Sequence, residues 1–296
     1  MKFIKYSFFT LLLFSAINVF SQQNLKLISE KTLPTESGKT LKISSFAGEI
    51  IVTAWDKNEV EVKILGNETA DKMFIFDVSS VSTGIKIDGQ KNSDGDKNYN
   101  LALKYEIKVP LSYNTDIFTG AGGVSVTGVS GLLKANTSAG HIVVVNSSGN
   151  IDMSTSAGNI VIESFTGPII ISTGGGNIKA SGFSGNINVS TMGGNISLTG
   201  GNGSVNTHTG GGSVILDFTG KNEGIDISTM AGNIKLLLPS DIDADAEFST
   251  FAGKITTDFA STEDSKISSY LKTTYNAGGT KLKCSTQAGN ITVIKK

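Results

Sequence analysis

The 296-residue sequence contains no arginine: all 25 of its basic residues are lysines, set against 26 acidic ones. Without guanidinium groups the chain lacks bidentate recognition of phosphate or carboxylate, arginine fingers and the commonest specific contact to guanine. A formal net charge of −1 leaves no basic excess to bind nucleic acid through counterion release. No nucleic-acid partner is expected. The single cysteine, Cys284, has no partner for an internal disulfide, and with only two histidines, His141 and His208, no Cys/His cluster can hold zinc. Proline is nearly absent, with 4 residues, while glycine reaches 35. That combination excludes both collagen and a Pro-rich disordered tract. No motif calls for a cofactor.

Long apolar runs are also missing. The stretch from Phe8 to Phe14 follows a short basic start at Lys2 and Lys5 and is too short for the roughly 20 residues that span a bilayer. It reads as a signal peptide over residues 1–21, cleaved after Ser21. No cysteine near that junction would take a lipid. The expected product is an exported chain of residues 22–296, in the periplasm, at the cell surface or outside the cell, without stable membrane insertion. Losing Lys2 and Lys5 leaves 23 lysines against 26 acids, a net charge of −3.

What the chain has in abundance is a repeat. Glycines stand at 122, 131, 140, 149, 158, 167, 176, 185, 194, 203 and 212, in unbroken nine-residue register. One mostly polar residue follows each, then an apolar one, as in Gly158-Asn159-Ile160 and Gly194-Asn195-Ile196. Alternation with period two signals strands, and the glycines mark turns. The units alternate in kind, because Thr119, Thr137, Thr155, Thr173, Thr191 and Thr209 recur every 18 residues. Looser copies follow at Thr229, Thr250 and Thr286, and an early one at Ser45-Phe46-Ala47-Gly48. Strand-like runs cover Glu59 to Leu65, Phe74 to Val78, Gly84 to Asp88 and Leu101 to Val109. A polar loop is expected over 89–100 with Asp94-Gly95 at its tip, and no amphipathic helix is expected anywhere.

A five-residue strand with one apolar face cannot bury that face alone. Coiling the chain so that each turn stacks on the last encloses the Ile and Val columns. The expected fold is therefore all-β, a parallel β-helix or β-solenoid with about 18 residues and two short strands per coil. An antiparallel meander or barrel is the alternative, since nine-residue hairpins also repeat at 18. The solenoid is expected to be one domain over 22–296, irregular over 22–118 and regular over 119–296. At about 4.8 Å per coil the regular part extends about 45 Å. Ile142, Ile160, Ile178, Ile196 and Val214 form one inward column, Asn159, Asn177 and Asn195 an amide ladder at a corner. Corner glycines such as Gly176 are expected to need positive backbone angles. Lys295-Lys296 is expected to blunt the last strand and the lysine-bearing segment from Leu25 to cover the first.

Repeated Gly-Asn-Ile, the upstream Gly48-Glu49-Ile50-Ile51-Val52 leading to Trp55-Asp56, and Ile107-Lys108-Val109-Pro110 before the Gly-rich repeat carry a resemblance. The chain resembles the bacterial family of auto-transporter adhesin head domains of the Gly-Ile-Asn type, and a related uncharacterised family of β-strand-repeat proteins, over about residues 24 to 296. The resemblance implies an exported, non-enzymatic β-repeat module with no catalytic residues. The sequence shows no translocator barrel, so a complete auto-transporter is not expected.

Candidate sites are few. Asp241, Asp243, Asp245 and Glu247 alternate with Ile242, Ala244, Ala246 and Phe248, placing four carboxylates on one strand face. A calcium site or an acidic pair for sugar chemistry would use such a face. The expectation is a solvent face whose like charges block edge pairing. Nine-residue Gly repeats that bind calcium carry Asp where this chain carries Ile or Val, so no repeated calcium array is expected. The column Thr137, Thr155, Thr173, Thr191 and Thr209 is either a stripe for glycan or ice or, as expected, a structural ladder that saturates corner hydrogen bonds. His141 and His208 are expected as solvated corner residues without an activated Ser or Cys. The function expected is a non-enzymatic adhesion or envelope-interaction module for an unidentified glycan or protein. The alternatives are a glycan-active β-helix enzyme and a Thr-ladder carbohydrate or ice binder. Nothing in the sequence speaks to oligomeric state.

Overall fold

The computed structural model describes residues 25–92, 100–260 and 269–296, so the expected signal peptide and the expected Asp94-Gly95 loop tip lie outside the described residues. The alternation seen in the sequence becomes inward and outward columns. In one coil, formed by the strands Ile160–Thr166 and Ile169–Thr173, the side chains of Ile160, Ile162, Phe165, Ile169, Ile171 and Thr173 all point inward and are buried. Each fully buried aliphatic side chain contributes about 1.5–3 kcal/mol relative to exposure.

Three corners close the coil. Ser164 bends the first strand at φ 55°, and the equivalent positions one coil apart are Gly128, Asn146 and Gly182, also left-handed. Small or amide side chains are the ones that tolerate this region. Gly167 turns the chain at φ 127°, and Gly174-Gly175-Gly176 makes the third corner. Backbone pairing is parallel at a separation of 18 residues, as in Ile160↔Ile178, Ile178↔Ile196 and Ile196↔Val214. This register is that of the parallel solenoid and excludes the antiparallel meander through the repeat. The expected inward column of Ile142, Ile160, Ile178, Ile196 and Val214 is at most 1% exposed.

Both ends depart from chain order. Thr40–Ser45 lies between Gly84–Lys91 and Asn114–Thr119, and Glu49–Trp55 lies between Leu103–Pro110 and Val124–Thr127. At the other end Lys281–Ala288 is inserted between Asn222–Ala231 and Ala244–Ala252. Ile291–Lys295 is likewise inserted between Ile234–Leu238 and Ile255–Thr257. The last strand in sequence is therefore not an edge, and Lys295-Lys296 does not blunt one. Instead Lys296 Nζ reaches back to Asp217 and to the Phe218 carbonyl, at 2.9 Å from the latter.

The outer rungs are antiparallel. Lys26–Pro34 pairs with Glu59–Gly66, Phe74–Val81 with Gly84–Lys91, and Tyr270–Tyr275 with Ala244–Ala252. The lysine-bearing first strand thus covers the N-terminal end. Two local expectations need correction. A short helix forms at Glu68–Met73, where the Asn67 side chain caps the Ala70 N–H at 3.0 Å. The strand starting at Gly84 runs on to Lys91, past the expected start of the loop at 89. Among the described residues no helix is long and apolar enough to cross a membrane.

Candidate functional site

The threonine column faces the interior. Thr137, Thr155, Thr173, Thr191 and Thr209 are at most 5% exposed. Each hydroxyl donates to the carbonyl of a corner glycine one coil back: Thr155 to Gly140 at 3.0 Å, Thr173 to Gly158 at 2.8 Å, Thr191 to Gly176 at 3.0 Å. Thr137 and Thr209 do the same to Gly122 and Gly194. The column satisfies corner carbonyls that would otherwise be buried without a partner.

A matched pair of substitutions tests this arrangement. Thr173→Val keeps the shape but removes a made hydrogen bond, and is expected to cost about 1 kcal/mol. Thr207 is equally buried, yet its hydroxyl has no partner among the described residues. Thr207→Val is therefore expected to stabilise by about 1 kcal/mol, since it removes a desolvated, unpaired polar group. Urea midpoints of the two variants, moving in opposite directions, are the check.

The amide ladder forms, but not by side-chain pairing. The Asn177 N–H donates to Asn159 Oδ1 at 2.8 Å, and the Asn195 N–H to Asn177 Oδ1 at 2.8 Å. Each side chain thus accepts from the backbone of the next coil. His141 takes the same place, its Nδ1 accepting from the Asn159 N–H at 2.9 Å. His208, expected as a solvated corner residue, is exposed but lies in the strand Gly203–Thr209 rather than at a corner, and its Nδ1 is 2.9 Å from Ser228 Oγ. These two stand on adjacent rungs, with Ser190 on the other side of the histidine. Activation of a serine also needs a group that orients the base. The groove beside the pair, about 470 Å³ in volume, is lined by Thr, Ser, Met230, Phe251 and Gln287 and includes no carboxylate. Cys284 is buried, and burial pushes its thiol well above the usual range.

The four carboxylates do not converge. Asp241, Asp243 and Asp245 are exposed and Glu247 half-buried, but they do not share one strand face: only Asp245 and Glu247 lie in the strand Ala244–Ala252, about 6.8 Å apart, while Asp241 sits in the preceding turn and Asp243 in the link to the strand. Among the described residues no three His, Cys, Asp or Glu side chains group as metal ligands. Nor do these carboxylates guard an edge, because Ala244–Ala252 is paired on both sides. Sequence reasoning missed their neighbours. Glu247 stands between Lys272 and Lys283, Asp245 between Thr274 and Lys281, and Asp226 lies beyond Lys283. The outward row Lys272, Glu247, Lys283, Asp226 alternates in sign over four adjacent strands. Lys272, Glu247 and Lys283 line a shallow groove of about 730 Å³. Asp243 Oδ1 accepts from the Ala277 N–H at 2.9 Å, which anchors the turn above the groove. No sequence spacing signals this row, since neighbours along it are 25, 36 and 57 residues apart in sequence.

Residues 17–294 match the family described as Toastrack DUF4097. The chain belongs to the Toastrack family. No curated protein matches it. Solved structures similar to this Toastrack chain include a candidate adhesin from Bacteroides fragilis, at 10% identity and a TM-score of 0.48, covering 91% of this chain and 97% of that one. A candidate adhesin from Parabacteroides merdae has 12% identity and a TM-score of 0.34, over 91% and 96%. A candidate lipid-binding protein from Parabacteroides distasonis has 11% identity and a TM-score of 0.30, over 90% and 96%. Identities near a tenth and TM-scores below 0.5 transfer no function to this Toastrack chain.

Proposed function

We propose that this Toastrack protein is an exported, non-enzymatic module that engages a bacterial envelope component, a glycan or a protein, through the outward side of its C-terminal coils. The observation that carries the reading is the groove lined by Lys272, Glu247, Lys283, Asp245 and Lys281. It is open, polar and alternating in charge, which suits recognition of a ligand rich in hydroxyls or paired charges. Support for a non-catalytic role comes from the side chains that nucleophilic chemistry would draw on. His141 is engaged in the corner ladder, His208 bonds a serine with no carboxylate in the adjoining groove, and Cys284 is enclosed. The auto-transporter-head resemblance of the Gly-Asn-Ile repeats agrees with adhesion.

The test is binding of the purified protein to a glycan array and to isolated envelope fractions. Glu247→Lys turns the alternating row into a run of lysines and is expected to reduce binding at least about tenfold, the equivalent of 1.4 kcal/mol. The Thr173→Val/Thr191→Val pair is expected to bind as the parent does. Equal binding by parent and Glu247→Lys would remove the groove from the reading. Loss in the threonine variant alone would favour the ladder as a ligand face. Turnover of a glycan that Asp243→Asn abolishes would replace a binding role with an enzymatic one.

A further inference from the structure

One long corner of the solenoid is a ridge. Ten copies of a corner motif stack along it: Ser or Thr, then a crest residue, then Ala or Gly, then Gly. Strand pairing sets their order, from Ser45-Phe46-Ala47-Gly48 at one end to Thr250-Phe251-Ala252-Gly253 at the other. Nine steps of about 4.8 Å make the ridge about 43 Å long. Every exposed phenylalanine and methionine among the described residues stands on it. Phe46, Met192, Met230 and Phe251 are at the crest and Phe118 is beside it, between 51% and 92% exposed. Exposed apolar residues gathered in one place mark an interaction surface.

Charge is missing from the same ground. The column before the Ser or Thr, the crest and the two columns after it hold no lysine and no carboxylate in any of the ten copies, although the chain is 17% charged. Lysines return only at the ends. The Lys91 Nζ lies 5.9 Å from the centre of the Phe46 ring, and Lys254 is exposed three residues after Phe251. Along the crest the backbone pairs from coil to coil. The N–H groups of Gly120, Gly174 and Gly210 each donate at 3.1 Å to the carbonyl of Ser45, Thr155 and Thr191, and the column hydroxyls take the glycine carbonyls. A surface that leaves water for a hydrocarbon phase must meet both conditions, no charge and no unpaired backbone group.

We infer that this ridge docks on a lipid bilayer, the solenoid lying on its long edge with the crest side chains among the headgroups and upper acyl chains. Shape decides for lipid over a folded partner. The ridge is convex, and the methyls of Met192 and Met230 lie over Gly174 and Gly210 of the same chain, so no notch is left there for side chains of a rigid surface. The large residues also stand at uneven intervals, on the first, second, sixth, eighth and tenth copies. A fluid layer closes around each wherever it stands, whereas a folded partner would need a groove of matching length and spacing. Lys91 and Lys254 suit the two ends, because a lysine lays its stem along the apolar boundary and keeps its ammonium in water. The attachment is peripheral and, with five anchoring side chains, reversible. The ridge shares no residue with the groove lined by Lys272, Glu247 and Lys283, so this inference and the proposed function fail separately.

The test is flotation of the chain from Gln22 onward, free of the apolar run Phe8 to Phe14, with vesicles of phosphatidylcholine and with vesicles of phosphatidylethanolamine and phosphatidylglycerol. Because the contact is apolar, both are expected to carry the protein, at about 1 M salt as at about 0.1 M. Phe46→Ser with Phe251→Ser, both at exposed positions, should lower the partition constant at least about tenfold while leaving the far-ultraviolet spectrum unchanged. Orientation is read from indole emission over the Trp55 background. Phe46→Trp and Phe251→Trp should each shift to the blue on adding vesicles. Leu111→Trp, at an exposed site eight residues before Thr119 and outside the ridge, should not. No flotation with either vesicle, flotation unchanged in the double serine variant, or a blue shift at one end alone overturns the inference. Flotation with the anionic vesicles only, lost at high salt, would replace it with attraction by surface lysines. Capture of a delipidated envelope protein through the ridge, without flotation, would assign the ridge to a protein partner instead.

Discussion

Gly176→Ala is expected to destabilise the protein by about 3 kcal/mol, whereas Gly175→Ala, one residue away, should change stability by no more than about 0.5 kcal/mol. A Cβ on Gly176 would stand 1.8 Å from the Gly158 carbonyl oxygen, and a backbone atom in a stacked coil cannot move aside alone. That carbonyl also accepts from Thr173, so shifting it breaks a second interaction. Gly194 sits on Gly176 in the same way, at 1.8 Å from its oxygen. A Cβ on Gly175 meets nothing within 4 Å, and its φ is not left-handed. The expectation that Gly176 needs a positive φ is therefore corrected. Its backbone is not left-handed, and the close approach of successive coils is what excludes a side chain. Midpoints of urea unfolding for the two variants are the measurement, and equal losses would show that the corner relaxes as a unit.

Raising the pH from 10 to 12 is expected to remove about 5 kcal/mol of stability, starting at the two ends of the solenoid. Tyr105 and Tyr275 are buried, and burial pushes each phenol up to about 12. Hydrogen bonds to Ser45 and Thr257 pull the other way but do not offset it. In the unfolded chain a tyrosine loses its proton near pH 10, while the folded protein still holds it. The unfolded state thus binds fewer protons across that window, and stability falls by about 1.4 kcal/mol per unit for each residue. Below pH 10 both forms are protonated and neither tyrosine contributes to the slope. Burial also raises the Cys284 thiol, which brings the onset lower, towards pH 9. No tyrosine lies between 114 and 269, so the central coils lack this liability. Thermal melts at pH 9 and 11 should differ strongly for the parent and much less for Tyr105→Phe/Tyr275→Phe. An unchanged difference in that variant would assign alkaline loss to general repulsion among deprotonated groups.

Much of this molecule is legible in its sequence alone. The 18-residue spacing of Thr137, Thr155 and Thr173 led to parallel stacking, because identical residues recur one coil apart only when each coil lies on the last. The alternation in Ile160, Ile162 and in Ile187, Val189 identified the core face, and all four are buried. The short helix at Glu68–Met73 was missed because its six residues are too few to show a period. The partners of Asp245 and Glu247 were missed for a different reason. Lys272, Lys281 and Lys283 reach them through pairings that carry no repeat spacing.

The order of the coils marks the boundary between what sequence and tertiary structure each decide. Thr-X-Ala-Gly followed by a polar residue and Ile occurs at Thr229, Thr250 and Thr286, and each copy presents the same donors, acceptors and inward side chains to a neighbour. Local chemistry therefore determined that these segments are rungs, with Thr and Ile inside and Gly at the corner. It could not rank them, because any one stacks equally well on any other. The antiparallel strand Tyr270–Tyr275 settles the matter by occupying the outer edge of Ala244–Ala252. Only the inner edge is then open to Lys281–Ala288, which bridges to Asn222–Ala231. That choice also carries Gln287 and Phe251 into line with Met230 and assembles the charged row.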